Sequence, residues 1–419
     1  MTNQKRAFVG GHVLLPDGSR QRLAVVTDGD RIVAVCADEE VEAGIQRVDC
    51  TGRTILPGLI DLHTHPSVHC KLGKEEASRQ IVYSVGHAMR LLRAGITTVR
   101  TLGGHGDVDL VLDELAAKGH ILGPRMVSGG YFICQTGGHA HENAIEVDGV
   151  DEMRKVVRHE IHTGHQWIKL MASGGFDSAD ESPTTMQFTP EEIEAATREA
   201  NVAGVRVTAH AHGADAILMA LNAGVHSIEH GSFLDERGIA ALLEHDAFLV
   251  PTFATYDNVA SRPEHPMQQL NIAVLKPKIE TFRKAVAAGV KWGLGSDAQG
   301  GSPLELVLDE VVILVEDVGL DPATVLKHAS RGNAELLGFD DIGDIEPGFV
   351  ADLSIVDGNP LENICDVARV VGTVNRGRYT DWEVLAPALN LWTLETLEVE
   401  DVPDGRRTPS RLWSRKVLP

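Results

Sequence analysis

The chain has 419 residues, of which 43% are hydrophobic and 23% charged, and its formal net charge is -22. That length exceeds what one core usually organises and predicts a barrel-sized domain with a smaller one attached. The acidic field excludes nucleic acid as a partner, and with no apolar run near the roughly 18 residues of a membrane span the composition argues against a membrane protein.

Lys5 and Arg6 precede an apolar stretch, but His12 and Pro16 interrupt it without a small-residue cleavage site, so no export signal is expected. From about residue 7 to 49, short alternating runs are separated by Pro16-Asp17-Gly18 and Asp28-Gly29-Asp30, the second a hairpin signal. This stretch predicts β structure alone.

A βα pattern follows, with strands expected at 54–61, 96–101, 125–128, 167–171, 205–210, 227–230, 248–252 and 291–296. Ala94-Gly95, Thr163-Gly164, Ala203-Gly204, Ala223-Gly224 and Ala288-Gly289 each close a helix-like stretch. Glycine just past a helix end takes the left-handed conformation that terminates it, so each pair marks a helix-to-strand junction. Thr189-Pro190-Glu191-Glu192 opens a helix with an N-cap and a capping box, and Asp321-Pro322 opens another. Strands alternating with helices imply a closed parallel sheet, a (β/α)8 TIM-like barrel over residues 57–342. An open doubly wound sheet is the alternative, but it would gather its ligands at one switch point rather than around a ring.

After the barrel, Gly343-Asp344-Ile345-Glu346-Pro347-Gly348 and the ADLSIVDGNP run read as strand and turn. Residues 1–56 and 343–395 are therefore expected to form one small composite β-sandwich domain, with 396–419 as a polar tail or arm. The cysteines, Cys36, Cys50, Cys70, Cys134 and Cys365, form no Cys-x-x-Cys pair, which argues against a disulfide framework and for a cytoplasmic location. Cys134 lies near a His-rich segment, but a reactive thiolate needs a base or cation beside it.

Five of the expected βα units end an apolar run in a side chain able to bind a metal: His63 and His65 in TILPGLIDLHTH, Lys169 in HQWIKLMASGG, His210 in VRVTAHAHG, His230 in HSIEHG and Asp297 in KWGLGSDA. Inward-facing ligands at the carboxyl ends of successive strands are how a β/α barrel builds its site. His63 and His65 are two apart and share a strand face, so both imidazoles can reach one cation. A bare Lys169 ammonium at that mouth would be repelled by such a cation. His212 shares a face with His210, and geometry alone leaves either as the ligand. Glu229 precedes His230 and is expected to point away from it, in a supporting role. Asp297 also stands where it could cap the following helix. His139 and His141 lie in the loop after the third strand, where barrel loops meet substrate, and Tyr256 occupies a similar place in the seventh. Arg262 could pair with a substrate carboxylate or be an exposed structural residue.

PGLIDLHTH, the Lys of WIKLMASGG, the His of VTAHAHG, the His of SIEHG and the Asp of GLGSDA resemble the amidohydrolase superfamily in order and spacing. The likeness covers most of the chain, including DIEPGFVADLSIVDGNPLENI, and is greatest to the binuclear branch holding Xaa-Pro and Xaa-Arg/Lys dipeptidases and ochratoxin-type amidohydrolases. The resemblance implies two divalent ions, zinc foremost, bridged by a Lys169 that carbon dioxide has carboxylated. It assigns His63, His65 and Asp297 to one ion and His210 and His230 to the other, favouring His210 over His212. A hydroxide bridging the ions would attack the amide of a dipeptide or N-acyl amino acid, with Asp297 moving the proton and His139 contacting the substrate oxygen. It also implies a homo-oligomer, an octamer or another even assembly.

Two other hydrolytic readings stand beside this one. A deaminase or imidazolonepropionase-like hydrolase of a heterocycle uses one ion, which needs no bridging Lys169, and its extra Glu is missing from Ala211-His212-Gly213. A phosphotriester or lactone hydrolase could use the same pair of ions, because loops rather than metals choose the electrophile. A scaffold that had lost its chemistry would not be expected to keep all the ligands.

Overall fold

The structure, a computed structural model, describes residues 5–69, 77–105, 107–176, 181–300 and 303–389. Eight parallel strand positions organise it: β1 Leu59–His69, β2 Ile96–Thr101, β3 Arg125–Ser128, β4 Trp167–Met171, β5 Arg206–Ala211, β6 Ser227–His230, β7 Phe248–Val250 and β8 Lys291–Trp292. A helix follows each, among them Ala77–Arg93 after β1, Pro190–Val202 after β4 and Leu306–Glu316 after β8. The strands lie in two sheets, one holding β3, β2, β1 and Ala298–Gly300, the other running from Ala144–Glu146 and Phe132–Cys134 through β4 to β8. Main-chain hydrogen bonds cross both seams. Gln166 N donates to Ser128 O at 2.9 Å between β3 and β4, and Leu62 N donates to Leu294 O at 2.9 Å between β1 and the chain after β8.

Strand alternation sorts the chemistry. Ile168 and Leu170 of β4, Val207 and Ala209 of β5 and Ile228 of β6 join one buried cluster with helix residues such as Ile193, Ile217 and Leu242. Each Val, Ile or Leu side chain among them contributes about 1.5–3 kcal/mol when fully buried. The intervening residues Lys169, Thr208, His210, Ser227 and Glu229 face the opposite way and are buried polar groups.

The helix punctuation holds: Gly95, Gly164, Gly204, Gly224 and Gly289 all have positive φ. Thr189 accepts from Glu192 N in a full capping box, and Asp321 caps Pro322–Lys327.

Three expected strands are corrected. The run at 54–61 divides at Gly58, with Arg53–Pro57 pairing Leu353–Asp357 antiparallel and only Leu59 onward entering the parallel array. A Cβ at Gly58 would lie 2.1 Å from Thr97 Oγ1, so the chain changes sheets at its one side-chain-free position there. The eighth strand stops at Trp292, because Gly293 and Gly295 press against Leu62 and His63 and Leu294 N is taken by Asn333 Oδ1. The seventh stops at Val250, before Thr252 turns left-handed at φ 50°. Residues 343–348 form bends and a turn rather than a strand.

The termini do meet. A four-stranded sheet (Arg31–Cys36, Ala24–Asp28, Arg6–Val9, Gln46–Asp49) and a six-stranded one (Arg378–Asp381, Val370–Asn375, Leu353–Asp357, Arg53–Pro57, His12–Leu14, Arg20–Arg22) share a buried cluster. Phe8, Val25 and Ile32 enter it from the first, and Val13, Ile55, Leu353, Ile355 and Val374 from the second. The expected tail at 396–419, and residues 390–395 before it, lie outside the described residues. No described helix is long and apolar enough to cross a membrane.

Candidate metal centre

Two neighbouring triads of ligand side chains collect at the carboxyl ends of the strands: His63, His65 and Asp297, and His210, His212 and His230. In the first, His63 Nε2 and His65 Nε2 are 3.2 Å apart, and Asp297 Oδ1 lies 3.3 Å and 3.1 Å from them. The outer nitrogens are committed as donors: His63 Nδ1 to Glu229 Oε2 at 2.9 Å, and His65 Nδ1 to Gly103 O at 3.1 Å. Burial, reinforced by Lys169, holds the His63 imidazolium down to about 4, so that ring is neutral near pH 7. A neutral imidazole whose Nδ1 carries the proton presents a lone pair at Nε2. Burial pushes the Asp297 carboxyl up, but His63, His65 and Lys169 outweigh it and hold it near 2. The centre of this triad is thus lined by acceptors, an arrangement that suits a cation.

Lys169 Nζ sits 3.5 Å from His63 Nε2 and is buried. Burial lowers its ammonium to about 8, against the pull of Glu229 and Asp297. In the second triad the ring centroids of His210, His212 and His230 are 4.4 to 4.9 Å apart, and His63 to His230 is 5.0 Å. His230 Nδ1 pairs with Thr252 Oγ1 at 2.8 Å and His212 Nδ1 with Ser232 Oγ at 2.9 Å. His210 and His212 both reach this cluster.

Glu229 overturns its expected orientation. It pairs in register with His210, so the pleat turns its carboxylate inward, where it accepts from His63 Nδ1, Arg100 Nη2 (2.7 Å) and Thr208 Oγ1 (2.6 Å). The next residue, His230, would point outward on a regular strand, but its left-handed backbone (φ 71°) swings it back in. Asp297 uses the same device at φ 58°. Non-glycine residues rarely occupy this region, and such strain is typically kept where a side chain must be aimed.

The loops complete the mouth. His139 stacks on His210 with centroids 4.4 Å apart, and its Nδ1 is 2.8 Å from Glu181 Oε2. A Cβ on Gly175 would lie 2.2 Å from that ring. His141 instead pairs with Gly138 O in its own turn, at 3.1 Å. The Tyr256 hydroxyl lies 2.8 Å from Ser232 Oγ and 3.3 Å from His212 Nδ1. Arg262, beyond the end of the helix Phe253–Ala260, donates to Asn258 Oδ1. Cys134 is buried in an apolar cluster with Val68, Phe132 and Met171.

Comparison with known proteins decides the lineage of this arrangement. The profile of the Amidohydrolase family matches residues 54–390. The chain belongs to the amidohydrolase family. Ochratoxinase of Aspergillus niger is 30% identical over 404 residues, covering 86% of this chain and 83% of that protein. Imidazolonepropionase of Mesorhizobium japonicum is 28% identical over 384 residues, covering 81% and 87%. Among solved structures, a Xaa-Pro dipeptidase with methionine bound in its active site superposes with a TM-score of 0.81 at 30% identity, covering 90% of this chain and 100% of that one. This amidohydrolase is a hydrolase acting on amide-type bonds.

Its supporting residues escape sequence reasoning. Arg100 is fully buried, donates to Glu229, Leu62 O and Ser227 Oγ, and lies 4.5 Å from the Trp167 ring centroid. Lys278 is also buried, its amine 3.6 Å from the Tyr256 ring centroid. Arg100 stands next to last in β2, as His210 does in β5, but arginine is not a metal-ligand side chain; Lys278 lies inside the helix Gln268–Ala287, and Glu181 lies in a loop whose fold spacing does not encode. The Arg100 to Glu229 pair yields a stability prediction. Glu229→Ala strands a buried guanidinium and should cost about 3–5 kcal/mol in urea unfolding. A loss under ~1 kcal/mol would show that Arg100 finds another partner.

Proposed function

We propose that the chain is a binuclear metal-dependent amidohydrolase, its strands β1 to β8 closed as a (β/α)8 barrel over residues 57–342 and flanked by a β-sandwich from 1–56 and 343–395. The substrate is a dipeptide, an N-acyl amino acid or a related amide. The observation that carries this reading is the convergence of acceptor atoms in His63, His65 and Asp297 beside a second imidazole triad, with the Lys169 amine alongside.

His63, His65 and Asp297 would hold one ion and His210 and His230 the other, with His212 a neighbour able to join them. Lys169 suits the bridge. Its depressed ammonium makes the neutral amine accessible, and that amine adds to carbon dioxide by forming an N–C bond and releasing a proton. The product is an anion where a cation would be repelled. Zinc suits the imidazole and carboxylate donors. When bound, the ions supply Lewis acidity and a nucleophile derived from water at neutral pH.

The remaining work falls to the chain. Asp297, ionised at neutral pH, can take a proton and return it to the departing amine. His139, held by Glu181, and Tyr256, held by Ser232, would donate to the substrate oxygen. Arg262 remains a candidate for a substrate carboxylate. The sequence holds no Cys-x-x-Cys pair, which suits a reducing cytoplasm, and an even homo-oligomer is the assembly proposed.

Metal analysis joined to a substrate screen tests this function. Purified protein should carry close to two divalent ions per chain and hydrolyse members of a panel of dipeptides and N-acyl amino acids. One ion per chain with turnover only of heterocycles would favour the imidazolonepropionase-like reading instead.

A further inference from the structure

Three aromatic side chains from three different βα connections gather near His212: Phe176 after β4, Phe233 after β6 and Tyr256 in the helix Phe253–Ala260 after β7. Phe176 meets His212 edge-on, with centroids 4.7 Å apart, and lies 5.6 Å from Tyr256 and 6.2 Å from Phe233, nearly parallel to the latter. Phe233 keeps 38% of its surface exposed. The main chain that carries it is held. Phe233 N donates to His212 O at 2.9 Å, Gly231 N donates to Ala211 O at 3.1 Å, and Leu234 N closes the turn on Gly231 O at 3.0 Å. Tyr256 is held by Ser232 and by the Lys278 amine over its ring face.

Water-exposed aromatic surface carried on a held main chain and packed ring on ring, beside groups that would do chemistry, is surface suited to a ligand. Aromatic faces and edges reward a flat apolar partner more than a small or branched one. Resting on the amide-hydrolysing function proposed above, we propose that Phe176 and Phe233, backed by the buried Tyr256, form a specificity wall that receives a flat apolar ring carried by the substrate. The preferred substrates are thus N-acyl amino acids or dipeptides with an aromatic or ring-shaped substituent near the scissile amide.

The test compares kcat/KM of the zinc-loaded enzyme in two pairs, N-acetyl-L-phenylalanine against N-acetyl-L-alanine and N-benzoyl-L-alanine against N-acetyl-L-alanine. At least one ratio should be about tenfold or more, the worth of placing a ring on apolar surface. In Phe233→Ala that ratio should fall to about three or less, and Phe233→Leu, which keeps bulk but not the flat ring, should lie between. Thermal unfolding of both variants checks that the fold survives. Ratios near one in the wild type, or a ratio unchanged in Phe233→Ala and Phe176→Ala, would overturn the wall.

Calorimetry with 3-phenylpropionate and propionate separates this inference from the hydrolytic one. If no amide is turned over, the hydrolytic reading falls. The wall is then decided by whether 3-phenylpropionate binds about tenfold tighter than propionate and loses that advantage in Phe233→Ala; equal binding of the two acids overturns it.

Discussion

Lys169→Ala is expected to lower kcat/KM about a thousandfold, the effect of removing ~4 kcal/mol of charge stabilisation from the reacting centre. Two features make this residue hard to replace. Its amine is buried 3.5 Å from His63 Nε2, and Glu229 beside it is already engaged by Arg100, Thr208 and His63. No carboxylate of that cluster is therefore spare to take the bridging position. Alanine leaves a hole about the size of the lost side chain, so millimolar formate or acetate should restore part of the turnover and raise bound metal toward two ions. Unchanged turnover in Lys169→Ala would remove the bridge from the mechanism, and rescue by chloride as well as by carboxylates would reduce its role to charge alone.

Asp297→Asn separates holding a metal from moving a proton. Asparagine accepts the left-handed backbone found at φ 58° as readily as aspartate does, so the loop should keep its shape. Its amide oxygen can still approach His63 and His65 as Oδ1 does now, at 3.3 Å and 3.1 Å. Metal content should therefore stay close to that of the wild type. Turnover should fall about 10²- to 10⁴-fold, the range for loss of a positioned acid-base group. A near-normal rate with full metal would assign the proton transfer to another residue, with His139 the first to examine.

Much of the site was legible because its ligands lie on or just after the apolar runs of the parallel strands. An apolar run closed by His, Lys or Asp is visible in one dimension, and the structure gathers His63, His65, Lys169, His210, His230 and Asp297 in one region. The helix ends were legible for a similar reason, since a cap and a left-handed glycine are local. What failed was long-range or depended on unusual backbone. Glu229 was expected to point away because strict alternation opposes it to His230, and only the positive φ of His230 lets both face inward. Its partner Arg100 lies 129 positions away, and Glu181, which holds His139, lies 42 away. The division at Gly58 was hidden inside a continuous apolar run, because Ile55 and Leu59 look alike in sequence while one belongs to the small sheet and the other to the parallel array.

A crystal structure of the protein purified with zinc, with anomalous data at the zinc edge, tests the central claim most directly. Two anomalous peaks roughly 3.5–4 Å apart are expected. One should be ringed by His63, His65 and Asp297 and the other by His210 and His230, with density continuing past Lys169 Nζ to a planar carboxylate between them. A single peak, or a Lys169 side chain that ends at its amine away from any ion, would contradict the account.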